Sequence, residues 1–595
     1  VTGERRRGRG RISLTAALLA VAVVVGGCAS LPESSSPQAI GTITREPVVV
    51  SVPVPTPGRE PDLLLRDFFS ASTDPADKHL AARQFLTPAA SDRWDDTAST
   101  TVVDKVDVLP ESRADDQATY TIRANRVGQL DDGGQYQAVE GNFEAKVRLS
   151  KVNGEWRIDD LPPGVIMDRP QFLKTYQRKA LYFLDPSGTT VVPDLRWISA
   201  TQEQMPGRLI ELLIAGPKPA LSDAVQNMAG KVSVLAPITK ADGRSAGVGV
   251  GFGGLHIDFT GASALDQNAR DLLAAQVVWT LAAAEISGPY VLTGDGAPLD
   301  ERYANGWTTA DVSSTNPMAT TSTTVGLHGL VDGALVAVND TGVSAMPGYF
   351  GTATTLESIA LSRDGRLAAA VADTGKPEPE PRSALMVGPV EGFATPALEA
   401  GSMTRPTWSR TEPAVWTVVD GTSVVRVVRD PQGGQLVVLP VDTADLAPLG
   451  ATITELRLSR DGVRAALIVD GKVYVATVVP RPDGGYALTA PRPVAIGLGS
   501  PALSLDWSSG EAIVVARAAS DIPVVSVAVD GSRMDALPSR NLSAPVSSVD
   551  ASVTTVFVAD ARAVFQLNNN DPAGDRYWRE VPGLTGVKAI PILPG

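Results

Sequence analysis

The chain has 595 residues, 43% of them hydrophobic and 20% charged, a globular balance over a length too great for one ordinary core, so three or four domains are expected. The formal net charge is −14, and residues 1–27 hold five Arg and one Glu, or +4, which leaves −18 on the rest. An acidic surface of that size argues against nucleic acid as a partner and against electrostatic adhesion to anionic lipid. With one cysteine, Cys28, and three histidines, His79, His256 and His328, the chain can form no internal disulfide and no His/Cys zinc site.

Arg5-Arg6-Arg7-Gly8-Arg9-Gly10-Arg11 and the apolar run Leu14 to Gly27 read as the basic and apolar parts of an export signal, the run being too short to span a bilayer comfortably. Val25-Gly26-Gly27-Cys28 follows, and it resembles the lipobox of bacterial lipoproteins. The resemblance implies cleavage after Gly27 of a signal peptide over 1–27. It also implies an S-diacylglycerol group on the Cys28 thiol and an N-acyl group, such as palmitate, on its new amino end. Two or more acyl chains hold a membrane stably where one does not. The expected location is the extracytoplasmic face of the cell membrane. Residues 28–61 contain seven prolines and Ser34-Ser35-Ser36. They form either a stalk reaching roughly 100 Å if extended as polyproline II, or a plain disordered leader.

From residue 62 the pattern turns helical, with Leu64, Leu65, Phe68 and Phe69 on one face and a second helix over Lys78 to Leu86. Strands are expected at Ala118 to Ala124, Tyr136 to Val139, Asn142 to Leu149 and Glu155 to Ile158, the last after the turn Val152-Asn153-Gly154. Helices followed by a curved sheet suggest a small α+β domain over 62–165. Its closing run VNGEWRIDDLPPG is similar to the last strand of the cone-shaped nuclear-transport-factor-like fold.

Between 178 and 303 the expected order is strand, helix, strand, strand, helix, strand. The strands are Ala180 to Leu184, Val232 to Ala236, Leu255 to Phe259 and Tyr290 to Leu292. The helices are Gln204 to Ala215, stopped by Gly216-Pro217, and Asp266 to Ala283. YFLDPSGTTVVPDLR, LIELLIAGP, LHIDFTG and LLAAQVVWTLAAA, in that order, resemble the GerMN domain, an α/β module of bacterial envelope and sporulation proteins. That family implies no catalytic residues.

Residues 318–595 repeat. LSRDG occurs at Leu361 and Leu458, and with the weaker copies at Trp408, Trp507 and Ala551 the steps are 47, 50, 49 and 44 residues. Such a period, with several short strands per unit, is that of β-propeller blades, here about six, with five or seven also compatible. The Asp-Gly turns are similar to those of TolB-like propellers. The sequence also suggests that deleting 318–595 leaves a folded, soluble fragment.

No catalytic, metal or cofactor-binding residue is assigned. His79 is placed on the polar side of a helix, His256 outward on a strand, and His328 in a glycine-rich stretch leading into the propeller. Asp364, Asp461 and Asp550 are read as recurring in register with the turns, which points to structure rather than metal binding. Gly249-Val250-Gly251-Phe252-Gly253-Gly254 satisfies GxGxxG but precedes a strand instead of a helix, so it reads as a connection and not a phosphate cradle.

Taken together, the order of lipobox, stalk, small α+β module, GerMN-like domain and propeller resembles the LpqB family of actinobacterial lipoproteins along essentially the whole chain. The resemblance implies association with the MtrA/MtrB two-component system. The expected function is then non-enzymatic: binding the extracellular domain of a sensor histidine kinase and modulating its signalling in envelope homeostasis and division. An envelope protein that captures a glycan, peptidoglycan fragment or lipid is the alternative, and an enzyme using acidic residues in the propeller channel is a third.

Overall fold

The computed structural model describes residues 53–131, 133–242, 253–316, 325–410, 412–430, 434–450 and 452–595. Gly27, Cys28, the export signal and most of the proline-rich segment lie outside the described residues, as do residues 249–252 of the glycine run.

The first region begins with α1 (Pro61–Ala71), which carries proline in its first turn and buries Leu64, Leu65, Phe68 and Phe69. Next come α2 (Ala76–Arg83) and α3 (Pro88–Arg93), the latter capped by the Thr87 hydroxyl, which accepts from the Ala90 amide at 3.2 Å. These helices pack on a sheet of β1 (Thr100–Arg113), β2 (Gln117–Asp131), β3 (Gln135–Val152), β4 (Glu155–Asp160) and β5 (Val165–Asp168), ordered β4-β3-β2-β1-β5. Only the β1–β5 pair is parallel. Asn153 and Gly154 both take positive φ, +52° and +84°, as a two-residue primed hairpin turn requires.

Two expectations need correction. The segments Tyr136 to Val139 and Asn142 to Leu149 belong to one long strand, β3. Strand β1 was not expected, because three register irregularities break its in-out alternation.

Helix α4 (Arg169–Thr175) leads into the second region. Here β6 (Gln177–Leu184) and β7 (Val191–Ile198) form an antiparallel hairpin, followed by α5 (Met205–Ala215), β8 (Ser233–Lys240) and β9 (Leu255–Thr260). Helix α6 (Gln267–Ala283), capped by Asp266, then joins β9 to the parallel β10 (Tyr290–Gly294), and β11 (Ala297–Pro298) completes a sheet ordered β11-β10-β9-β8. Strand β7 adds a strand to the expected order. Its in-out pattern is hidden because all eight residues are buried, Asp194 and Arg196 among them.

The third region holds six four-stranded antiparallel sheets. Five are consecutive in sequence, over 356–400, 407–440, 453–493, 502–536 and 548–580. The other combines His328–Val331, Ala334–Asn339 and Gly342–Ala345 with Ile590–Ile592, so the two ends of the region share a sheet. The repeat anchors are explained by contacts between neighbouring sheets. The Trp408 indole donates to the Ala360 carbonyl at 3.0 Å and the Trp507 indole to the Arg457 carbonyl at 2.9 Å, each tying one blade to the one before it. In the LSRDG turns, Asp364 accepts from the Ser362 hydroxyl at 2.7 Å and the Arg366 amide at 3.1 Å, and Asp461 repeats this with Ser459 and Val463. Gly365 and Gly462 supply the positive φ, +68° and +76°.

The hairpin β6–β7 joins two cores. Leu181, Phe183 and Val192 face the helices of the second region, whereas Ala180, Tyr182, Leu184, Val191 and Leu195 pack into one cluster with Ile468, Val475, Leu505, Trp507 and Val527 of the propeller. Polar links follow the same seam: the Thr477 hydroxyl donates to the Ala220 carbonyl at 2.8 Å, and the Trp197 indole donates to Asp530 at 3.1 Å. Removing residues 318–595 would strip this apolar face, so the fragment expected from sequence to stand alone lacks one side of its hairpin's core.

Candidate functional site

The inner edge of each propeller sheet is a strand that faces its neighbours around the ring: Leu356–Leu361, Thr407–Trp408, Ile453–Leu458, Ala502–Ser509, Ser548–Ala551 and Ile590–Ile592. Charges placed on these strands, or just before them, must meet one another. Arg457, Asp506 and Asp550 each sit one residue before a repeat anchor, Leu458, Trp507 and Ala551. Asp550 is therefore not in register with the turn aspartates, as the sequence suggested; it belongs to the inner strand and is buried.

These side chains form a closed network. The Arg405 guanidinium donates to Glu455 at 3.1 Å and to Asp550 at 3.2 Å, and also reaches the Leu505 and Val549 carbonyls. Arg457 donates to Asp506 at 3.1 Å and to the Pro406 carbonyl at 3.0 Å, and the second oxygen of Asp506 accepts from the Ala551 amide at 2.8 Å. Burial raises the Glu455 carboxyl despite the two arginines. Burial, reinforced by the negative charge of Asp506, pushes Asp550 up to about 7. Asp506 is also penalised by burial, but Arg457, Arg405 and Arg460 outweigh that and hold it below the usual range. Near neutral pH Asp550 is thus partly protonated beside the negative charge of Asp506. Chemically this is a plug: each carboxylate is held by guanidinium or by its neighbour, and among the described residues no group of three His, Cys, Asp or Glu is arranged to hold a metal ion.

A second buried set lies at the seam. Asp194 accepts from Arg196 at 2.7 Å and from the Lys218 amide at 3.0 Å, and Lys218 Nζ lies 3.2 Å from it. Burial lowers Lys218, with Asp194 opposing.

The three histidines lie in three different regions. His79 is half-buried rather than on a polar face: Asp77, Lys78 and His79 take left-handed φ inside α2, and its ring meets Trp94 at 6.0 Å. Burial lowers its pKa. His256 is partly exposed as expected and contacts the Thr293 hydroxyl at 3.0 Å. His328 is buried within a strand, not in a loop, and burial lowers it too, against a hydrogen bond to the Gly326 carbonyl.

Two clefts flank α5. One of about 640 Å³ lies between the first sheet and α5, with His79, Asp96, Gln129, Gln135 and Arg208 among its walls. The other, about 710 Å³, lies between α5 and β8 and is walled by Gly207, Ile214, Val234, Pro237 and Ile238 with Glu203 and Glu211 at its polar side.

Reading the sequence missed Arg405, Glu455, Arg457 and Asp506. The available signal was charge inside short apolar strands, as Glu455 and Arg457 in Ile453-Thr454-Glu455-Leu456-Arg457-Leu458, recurring beside the repeat anchors.

Comparison with known proteins agrees with this division of the chain. Family models match residues 54–173 (Lipoprotein LpqB, N-terminal domain), 180–300 (Sporulation and spore germination) and 333–594 (Lipoprotein LpqB beta-propeller domain). Proteins named Lipoprotein LpqB are similar over their full length: 68% identical over 594 residues in Rhodococcus opacus (strain B4), covering 100% of both chains, and 53% over 604 residues in Nocardia farcinica (strain IFM 10152), again 100% of both. That of Mycolicibacterium smegmatis is 45% identical over 588 residues, 98% of this chain and 99% of its own. Three matched segments and end-to-end identity with named relatives lead to one conclusion: the chain belongs to the LpqB family of lipoproteins.

Proposed function

We propose that the protein is a non-enzymatic lipoprotein, anchored through Cys28 on the outer face of the cell membrane, that binds the extracellular domain of an MtrB-like sensor histidine kinase and biases its signalling state. The observation that carries this reading is the plugged propeller. The Arg405–Glu455–Asp550 and Arg457–Asp506 contacts engage the charges of the inner strands with one another, which favours a binding role for the propeller's outer surface and loops. The shared core around β6–β7 supports it further, because a docking platform fused to its neighbour transmits a contact as a unit. Attachment through the lipid rests on the Val25-Gly26-Gly27-Cys28 motif, and among the described residues no helix is long and apolar enough to cross a membrane. Two proteins held on one membrane meet at high effective concentration, so a weak contact suffices for occupancy. Regulation additionally requires different affinities for two kinase states.

The test is calorimetric titration of the soluble chain from residue 29 to 595 with the purified extracellular domain of the cognate kinase. Saturable binding, reduced by substitutions confined to one propeller face, supports the proposal. An absence of heat at high concentration turns the weight to the second reading, capture of an envelope glycan, peptidoglycan fragment or lipid. That reading is favoured by the apolar groove between α5 and β8.

A further inference from the structure

We propose that the cleft between the first sheet and α5 binds an uncharged saccharide. Its volume, about 640 Å³, falls in the range of small-molecule pockets, roughly 300–1,000 Å³. Six of the side chains lining it carry hydroxyl or amide groups: Ser99, Thr100, Gln129, Gln135, Tyr176 and Ser199. Among the described residues none of the six makes a hydrogen bond through its side chain, although Tyr176 is buried and the other five are half-buried. A hydroxyl or a primary amide both donates and accepts. These groups therefore complement a ligand whose own groups do both, as sugar hydroxyls do.

The charged groups of the cleft are already engaged. Asp96 lies 3.0 Å from Arg83, Asp131 accepts from Gln137 at 2.7 Å, and Arg208 donates to Glu211 at 2.8 Å. Burial lowers His79, which is therefore neutral at pH 7. With their partners these groups amount to two cations and three carboxylates, so nothing there selects an anion. Tyr176 and Trp197 also line the cleft, with Leu130 and Ile198, and Phe172 holds both rings, 5.1 Å from Tyr176 and 4.7 Å from Trp197. Apolar and aromatic side chains beside hydroxyls and amides suit a pyranose, which has C–H faces and a hydroxyl rim. The walls are fixed before any ligand arrives. The Trp197 amide donates to the Gly134 carbonyl at 2.7 Å and Arg196 to the Gly133 carbonyl at 3.1 Å, tying the turn between β2 and β3 to β7. Such preorganisation lowers the cost of binding. The site does not depend on a kinase contact, and it lies in a different cleft from the apolar groove between α5 and β8.

The probes are maltose, cellobiose and N,N′-diacetylchitobiose, titrated calorimetrically into the soluble chain from residue 29 to 595, with acetate, choline and N-acetyl-trialanine amide as comparators. At least one disaccharide should bind saturably with millimolar or tighter affinity, and no comparator should match it. The double variant Q129A/Q135A should weaken that binding by at least about tenfold, as expected for lost hydrogen bonds, with an unchanged circular dichroism spectrum. Should that variant fail to fold, Tyr176→Phe removes a single hydroxyl and should still weaken binding by at least about threefold. Gly207→Leu adds bulk in the α5–β8 groove, where a Cβ meets open space, and should leave binding unchanged. Full binding in the cleft variants would overturn the proposal, and its loss in Gly207→Leu would then place the saccharide in that groove. No binding of any disaccharide at millimolar concentration, or a comparator that binds as tightly, would overturn it as well.

Discussion

Asp550→Asn replaces the carboxyl of the propeller plug that is pushed up to about 7 with a neutral group of the same shape. In the folded chain Asp550 is pushed up to about 7, mainly by burial and then by Asp506, whereas an unfolded aspartate titrates near its ordinary value. The sign follows directly: from about pH 4 to pH 7 the folded state holds a proton that the unfolded state has lost, so stability falls as pH rises through that window and levels off above it. At about 1.4 kcal/mol per pH unit over about three units, the site alone contributes a loss of about 4 kcal/mol between its two plateaus. Asp506, held below the usual range, contributes the opposite slope, but only in more acid solution. His79 and His328, both lowered by burial, make the protein more stable as pH rises toward about 6.5, so wild type alone does not isolate the effect. The difference between wild type and Asp550→Asn does. Urea unfolding of both proteins at several pH values from 5 to 8 should give a variant whose advantage over wild type grows with pH. Parallel pH profiles would refute the raised titration of Asp550.

Arg405→Met leaves Glu455 and Asp550 buried without their cation and should destabilise by about 3–5 kcal/mol in the same assay, far more than loss of an exposed pair. Leu184→Ala opens the seam cluster, and thermal or urea unfolding should show a loss of about 2–5 kcal/mol. A chain ending at residue 317 should bind a hydrophobic dye and aggregate, since Tyr182, Leu184, Val191 and Leu195 lose their cover; a monomeric, dye-free fragment would show that the hairpin repacks. Cys28→Ser should move the protein to the soluble fraction or leave the signal uncleaved, and fractionation with immunoblotting distinguishes either from a mature membrane form.

Repeated local signals made most of the fold legible. Trp408 and Trp507 recur because each makes the same bond to the blade before it, and Gly365 and Gly462 recur because the same turn needs positive φ twice. Strands β1 and β7 were obscure for opposite reasons. Irregular register scrambles the alternation of β1, and burial on both faces erases that of β7, where Asp194 and Arg196 look like surface charges until Lys218 and the propeller close over them. The channel network was harder still. Arg405 and Asp550 are 145 residues apart, and nothing local to either reveals that ring closure sets them 3.2 Å from each other.

The sharing of one sheet by His328–Val331 and Ile590–Ile592 orders events in time. A chain that crosses a membrane as a thread delivers residue 328 long before residue 590, and until then the inner edge of that sheet has no partner strand. The circle therefore stays open throughout transit and latches only when the last turn of polypeptide has come through. A chain halted before Ile590 would present an unpaired β edge, inviting another chain to add its own strand.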